Sequence, residues 1–173
     1  PKRIVFPEGE NPKIIRAAQI CREEGIAHPF LLGPTDKIAR IAAELDISLE
    51  GIETIDHWHH PKLDDYVQAY WEKRNRSGVT LESARRTMKR SNYFASMMVE
   101  QGDADGIVSG ISRSHPDTIR PALELIGTRP EVRRVAGAYL IILEDKVKIF
   151  ADTTVNIDPS AEDLAEIAIA TAE

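Results

Sequence analysis

Arg3-Ile4-Val5-Phe6 is followed by Asn11-Pro12, by Ile14, Ala17, Ala18 and Cys21 at helical spacing, by Gly25, and by Pro29-Phe30-Leu31-Leu32-Gly33-Pro34. The two flanking runs suit a pleated, half-buried surface. Asn11 offers a side-chain oxygen to the first helical amides, and Pro12 lacks an N–H that a first turn leaves unused anyway. Gly25 suits the left-handed residue that closes a helix. The stretch therefore reads strand–helix–strand, and a helical crossover between neighbouring strands makes them parallel.

The same grammar continues outward. Thr35 is placed to cap a helix with the stripe Ile38, Ile41, Ala42 and Leu45. Residues 52–55 form a short third strand. Leu63, Tyr66, Val67, Tyr70 and Trp71 make a further stripe, broken at Ser77-Gly78. Thr80 opens a helical stretch through Gln101, with a break expected near Ser91-Asn92. Gly106-Ile107-Val108 is a strand, followed by a polar loop and a helix to Gly127. Runs 135–143 and 147–150 flank Glu144-Asp145-Lys146 as an antiparallel hairpin. A last helix follows Asp158-Pro159. The expected architecture is α/β: three αβα layers around one mainly parallel sheet, its strands including 3–6, 29–32, 105–109, 135–143 and 147–150.

Composition bounds the rest. The chain has 173 residues, 42% apolar and 29% charged, which is ordinary for a globular domain. A net charge of −6 argues against general nucleic-acid binding but leaves room for a local basic pocket. The single cysteine, Cys21, excludes an internal disulfide framework and lies on an apolar stripe. No apolar run reaches membrane-spanning length and no signal peptide opens the chain, so the expected setting is the cytoplasm. The absent initiator Met and the final helix without a terminator suggest a piece of a longer polypeptide.

Open α/β sheets bind ligands beyond the carboxyl ends of their strands. That directs attention to Pro7-Glu8-Gly9, to Ser109 through Arg120, and to Asp152 through Asp158. The middle segment concentrates Ser109, Ser112, Arg113, Ser114, Thr118 and Arg120 immediately after a strand. Hydroxyls, guanidinium groups and the amides of a helix start are what an anion needs. A capped, solvated helix start, with Ser114 and Asp117 as the box, fits the same residues equally well. Pro121 leaves open whether Arg120 precedes the main helix or sits at a kink. Arg74 and Arg76 close a helix, where cations suit the dipole. His57, His59 and His60 have no partner at recognised zinc spacing, so no metal site is expected. Dinucleotide, P-loop and nucleophile-elbow motifs are missing.

Taken together, Arg3-Ile-Val-Phe-Pro-Glu8, Ala104 through Gly110, Asp117-Thr-Ile-Arg-Pro121 and Ala151 through Pro159 resemble the phosphate acetyl/butyryltransferase family over essentially the whole chain. The resemblance implies a phosphotransacetylase / isocitrate dehydrogenase-like fold. Residues 1–159 would be a first αβα subdomain, and 160–173 the start of a helix leading into a second one. It implies acetyl-CoA or acetyl phosphate as ligand, contacted by Arg74, Ser109, Arg113, Ser114, Thr118 and Arg120. The family's catalytic groups match no position here.

Arg113, where the transferases typically carry His, and the stretch 150–159 are similar to the phosphotransacetylase-like domain of bacterial NADP-dependent malic enzymes. This implies an acetyl-CoA-sensing, oligomerising module whose NADP and divalent metal belong to a preceding domain. A phosphate acetyltransferase and a structural dimerisation module with a vestigial pocket are the alternatives. A homo-oligomer is expected in each case, with no nucleic-acid or membrane partner.

Overall fold

The computed structural model describes residues 1–130 and 132–172, in two compact units that divide after Gly127. The first unit runs β1 (Lys2–Phe6), α1 (Pro12–Glu23), β2 (Ala27–Leu32), α2 (Thr35–Glu44), β3 (Glu53–Ile55), α3 (Leu63–Arg74), a 3-10 turn (Asn75–Ser77), α4 (Leu81–Met88), α5 (Ser91–Glu100), β4 (Gly106–Ile107) and α6 (His115–Leu125). The second contains β5 (Ala138–Ile142), β6 (Val147–Ala151) and α7 (Ala161–Ala172).

The four strands of the first unit lie in the order β3-β2-β1-β4, all parallel. Side chains alternate across a strand, and here the alternation sorts two cores. Val5, Leu32 and Ile55 face one cluster with Tyr66, Val67, Met88, Phe94, Met97 and Leu125, drawn from α3 through α6. Phe6 and Leu31 face the other, with Ile14, Ile15 and Ala18 of α1 and Ile38 and Ala42 of α2. Helices therefore cover both faces, as the strand–helix–strand reading requires.

The structure corrects several details. Pro34, not Thr35, occupies the cap position of α2, and no side-chain cap bond forms there. The helical stretch breaks at Lys89–Arg90, before the expected Ser91-Asn92. Trp58 Nε1 donates to the Lys89 carbonyl at 3.0 Å, and His57 Nε2 lies 3.0 Å from the same oxygen. Those rings satisfy a carbonyl that the helix end leaves free. Expected strand 105–109 shortens to Gly106–Ile107, because Ser109 is drawn away toward Glu8 and Asn92.

Runs 135–143 and 147–150 do form an antiparallel hairpin, from Ala138↔Ala151 to Ile142↔Val147. It is a separate two-stranded sheet of the second unit, not part of the parallel one. The Asp152 loop limits its start: the Gly137 amide donates to Asp152 Oδ1 at 3.2 Å, and Asn156 Nδ2 donates to the Val135 carbonyl at 3.0 Å. The division into compact units falls at Gly127, within the span 1–159 expected for a first subdomain.

Candidate functional site

At the carboxyl end of β1 the chain turns through Pro7-Glu8-Gly9. The Gly9 amide donates to the Leu32 carbonyl at 3.1 Å, which clamps this turn to the end of β2. Contact is close enough that only glycine fits: a Cβ on Gly9 would lie 2.7 Å from Leu32 O and 2.9 Å from Leu32 N. The clamp sets the direction of the next side chain back, Glu8, which is buried.

Both Glu8 oxygens are taken by the loop that follows β4. Oε2 accepts from the Gly110 amide at 2.8 Å and the Ile111 amide at 3.2 Å. Oε1 accepts from the Ser112 amide at 2.7 Å and its hydroxyl at 2.5 Å. The Ser109 hydroxyl stands 3.3 Å from both Glu8 Oε2 and Asn92 Oδ1. Burial pushes the Glu8 carboxyl up, but the Ser112 hydroxyl and the three amides outweigh it and bring the pKa down to about 2.

The loop leads into α6, which Ser114 caps: its hydroxyl accepts from the Asp117 amide at 3.3 Å and donates to Asp117 Oδ2 at 2.6 Å. Pro121 lies inside α6 and is buried. Its missing N–H would have served the Asp117 carbonyl. Asn92 Nδ2, from the first turn of α5, donates to that carbonyl instead at 2.9 Å. Arg120 therefore sits within the helix, not before it. Arg90 adds an ion pair to Asp117 at 3.5 Å.

A cavity of about 540 Å³ opens beyond the strand ends, lined by Glu8, Gly33, Trp58, Lys89, Asn92 and Arg113 among others. His57 also lines it; burial lowers its pKa, and its buried Nδ1 has no hydrogen-bond partner. The three histidines of this stretch take separate neighbours: His59 pairs with Asp56 at 2.8 Å, and the His60 ring stacks on Tyr66.

The six expected ligand residues divide accordingly. Ser109, Arg113, Ser114, Thr118 and Arg120 share one loop and one helix start. Ser109 and Ser114 are engaged internally, as is Thr118, whose hydroxyl donates to the Ser114 carbonyl at 3.2 Å. Arg113 and Arg120 are exposed and have no ion pair among the described residues. Arg74 comes from another element, the end of α3, and its buried Nε has no hydrogen-bond partner among the described residues. It neighbours Tyr70, whose hydroxyl donates to Glu124 of α6 at 3.3 Å; Tyr93 donates to the same carboxylate at 2.9 Å.

Glu8 and Asn92 were not among the expected site residues. For Glu8 the signal was its place directly after a strand; for Asn92 it was Pro121, whose missing amide requires a substitute donor. In the second unit, Asp152 gathers the amides of Gly137, Thr154, Val155 and Asn156 at 2.9–3.2 Å. Burial pushes the Asp152 carboxyl up, but these bonds outweigh it and lower the pKa to about 2.

A parallel sheet with helices on both faces, and a serine- and arginine-bearing loop at its strand ends, places the first unit among the open α/β proteins. The profile of the phosphate acetyl/butaryl transferase family matches residues 1–173, and the chain belongs to that family. A phosphate acetyltransferase of Nitratidesulfovibrio vulgaris is 43% identical over 96% of this chain and 24% of its own length. One from Thermoanaerobacterium thermosaccharolyticum is 41% identical over 99% of this chain and 53% of its own. A phosphotransacetylase structure from Streptococcus pyogenes superposes with a TM-score of 0.90 at 36% identity, covering 97% of this chain and 51% of that one. The chain thus spans from about a quarter to about half the length of these relatives.

These relatives overturn the malic-enzyme expectation, and they lend no support to an oxidoreductase activity or to NADP and a metal in a preceding domain. The two local differences behind it carry little weight physically. Arg113 is exposed on the cavity rim and takes no part in the Glu8 network. The Asp152 loop is held by Asp152, Asn156 and backbone amides, so the threonine side chains between them are not needed for it.

Proposed function

We propose that the chain is part of a phosphate acetyltransferase and supplies the phosphate- and CoA-contacting half of its site. In the reaction a phosphate oxygen attacks the thioester carbonyl of acetyl-CoA. A C–O bond forms, the C–S bond breaks, and the sulfur leaves as thiolate and takes up a proton; acetyl phosphate and CoA result. The observation that carries this reading is the Ser109–Arg120 segment. It stands at the carboxyl ends of the parallel strands, with Arg113 and Arg120 unpaired among the described residues, in a chain similar throughout to named phosphate acetyltransferases. The part played by these residues is to bind and orient anions, where positioning and charge stabilisation supply most of the rate. The test is acetyl phosphate formation from acetyl-CoA and inorganic phosphate by the intact protein, followed against a buffer blank.

Arg120 is the sharpest element of the reading. The carboxylates nearest it on α6 have other partners: Asp117 pairs with Arg90, and Glu124 accepts from two tyrosines. Arg120→Ala is expected to weaken acetyl-CoA binding by about 1.5–3 kcal/mol, the range for a charge-assisted hydrogen bond. Arg120→Lys recovers only part of it, because an ammonium lacks the planar fork. Calorimetric titration of the three proteins checks both statements; equal affinities would remove Arg120 from the site.

A homo-oligomer belongs to the same reading. The hairpin of the second unit leaves Leu140, Ile142, Val147, Ile149 and Phe150 at least half exposed, an apolar surface of the kind that finds partners. Sedimentation of the intact protein is expected to show a dimer or larger, and a monomer at high concentration would contradict it.

A further inference from the structure

We propose that Glu8 is a positioning residue of the acetyl-transfer site: its carboxylate fills the ring of amides at Gly110–Ser112 and thereby holds the loop that presents Arg113 and starts α6. The inference rests on the transferase reading above.

Three observations converge on it. The first is the completeness of the bonding. Glu8 is 8% exposed, and its two oxygens meet three consecutive amides and the Ser112 hydroxyl at 2.5–3.2 Å. Three amides converging in this way form an anion-binding concavity. An external phosphate has no access to these donors while Glu8 occupies them, so substrate anions meet the arginines instead.

The second is that between Val108 and the Ser114 cap Glu8 carries most of the bonding, beside the Ser109 hydroxyl at 3.3 Å from Asn92 Oδ1. The loop's supporting strand is two residues long, and the last backbone bond before the loop is Val108 N to Val5 O at 3.0 Å. From Gly110 through Asp117 every residue is exposed. The third is the rigidity of the Glu8 mount. Gly9 is pressed on Leu32, and the Glu8 carbonyl accepts from the Asn11 amide at 2.9 Å, at the start of α1. Glu8 thus connects the fixed carboxyl end of an interior strand to the segment that must be aimed.

Geometry also sets what a substitute can do. Glutamine keeps the volume, but its amide nitrogen would face N–H donors, so one side of the ring loses its acceptor. Alanine empties the ring and leaves room for a small carboxylate from solution. Glu8 has no role as a catalytic group here, since its oxygens are spent on the loop.

The experiment measures acetyl transfer by the intact wild-type protein, Glu8→Ala and Glu8→Gln, each with and without formate, together with thermal unfolding. The expected result is a fall in kcat on the order of a hundredfold in both variants, as misplaced binding groups produce. KM for inorganic phosphate changes less. Formate restores rate to Glu8→Ala and does nothing for Glu8→Gln, whose side chain blocks the ring. Wild-type kcat in either variant overturns the proposal, as does a loss in both variants that tracks lowered unfolding temperature and ignores formate, for that would make Glu8 merely structural. An inactive wild type instead defeats the transferase reading itself, and it is measured first, so the two failures are distinct.

Discussion

Phe94→Ala is expected to cost about 3–5 kcal/mol of folding stability, the range for removing a fully buried ring. Phe94 is completely buried in the core between the sheet and α3–α6. Its ring lies 5.0 Å from that of Tyr66, 5.3 Å from His60 and 5.7 Å from His57. Truncation leaves a void with aromatic walls, and its collapse would draw on Tyr66 and on residues 57–60. His57 and Trp58 bind the Lys89 carbonyl at the cavity, so the site is expected to loosen together with the core. Phe94→Leu fills most of the void and should cost less than about half as much. Denaturant unfolding of the three proteins checks the ordering; a Phe94→Ala penalty below that of Phe94→Leu would show that the aromatic cluster repacks freely.

How far the fold was legible follows from what sets each element. The parallel sheet was readable because its strands alternate between two cores and their connections carry local punctuation, such as Asn11-Pro12 and Gly25. Both act within a few residues. The hairpin was readable as a hairpin for the same reason, since Glu144-Asp145-Lys146 interrupts two β-like runs. Its separation from the parallel sheet was not readable, because strand partnership depends on residues far apart in sequence. The end of α4 shows the same limit. It is fixed by rings of residues 57 and 58, some thirty positions earlier, with separations of 32 and 31 residues.

The site divides in the same way. The Ser109–Arg120 segment announced itself by composition, and its helix cap by the Ser114–Asp117 spacing. What composition could not reveal was which donors were free. The loop amides that suggested an anion site do bind an anion, but it is Glu8, contributed from 102–104 residues away. A serine- and glycine-rich loop after a strand has the same appearance whether its amides face a ligand or a carboxylate of the same chain. Pro121 was a local mark of the tertiary arrangement, since a proline inside a helix leaves a carbonyl that some other residue must satisfy.

Gly9→Ala is expected to cost about 3 kcal/mol, toward the upper end of what overpacking costs, because the atoms its Cβ would strike are backbone and cannot swing aside. They are Leu32 O at 2.7 Å, Leu32 N at 2.9 Å and Leu31 C at 3.0 Å. Relief requires the Pro7–Gly9 turn to lift from β2, which breaks the Gly9–Leu32 hydrogen bond and carries Glu8 away from the Gly110–Ser112 amides. The penalty is therefore of two kinds, one in stability and one in the aim of the loop. Gly25→Ala separates them. Gly25 has φ +67° and nothing within 4 Å of a Cβ, so alanine there costs the left-handed backbone penalty, about 1–2 kcal/mol, with no effect at the strand ends. Unfolding experiments should show both variants destabilised, Gly9→Ala more so. Amide spectra should show shifts at residues 110–112 in Gly9→Ala alone, and acetyl-CoA affinity should fall with them. If Gly9→Ala leaves those amides where they are in the wild type, the turn after β1 does not aim Glu8, and the loop holds its shape by other means.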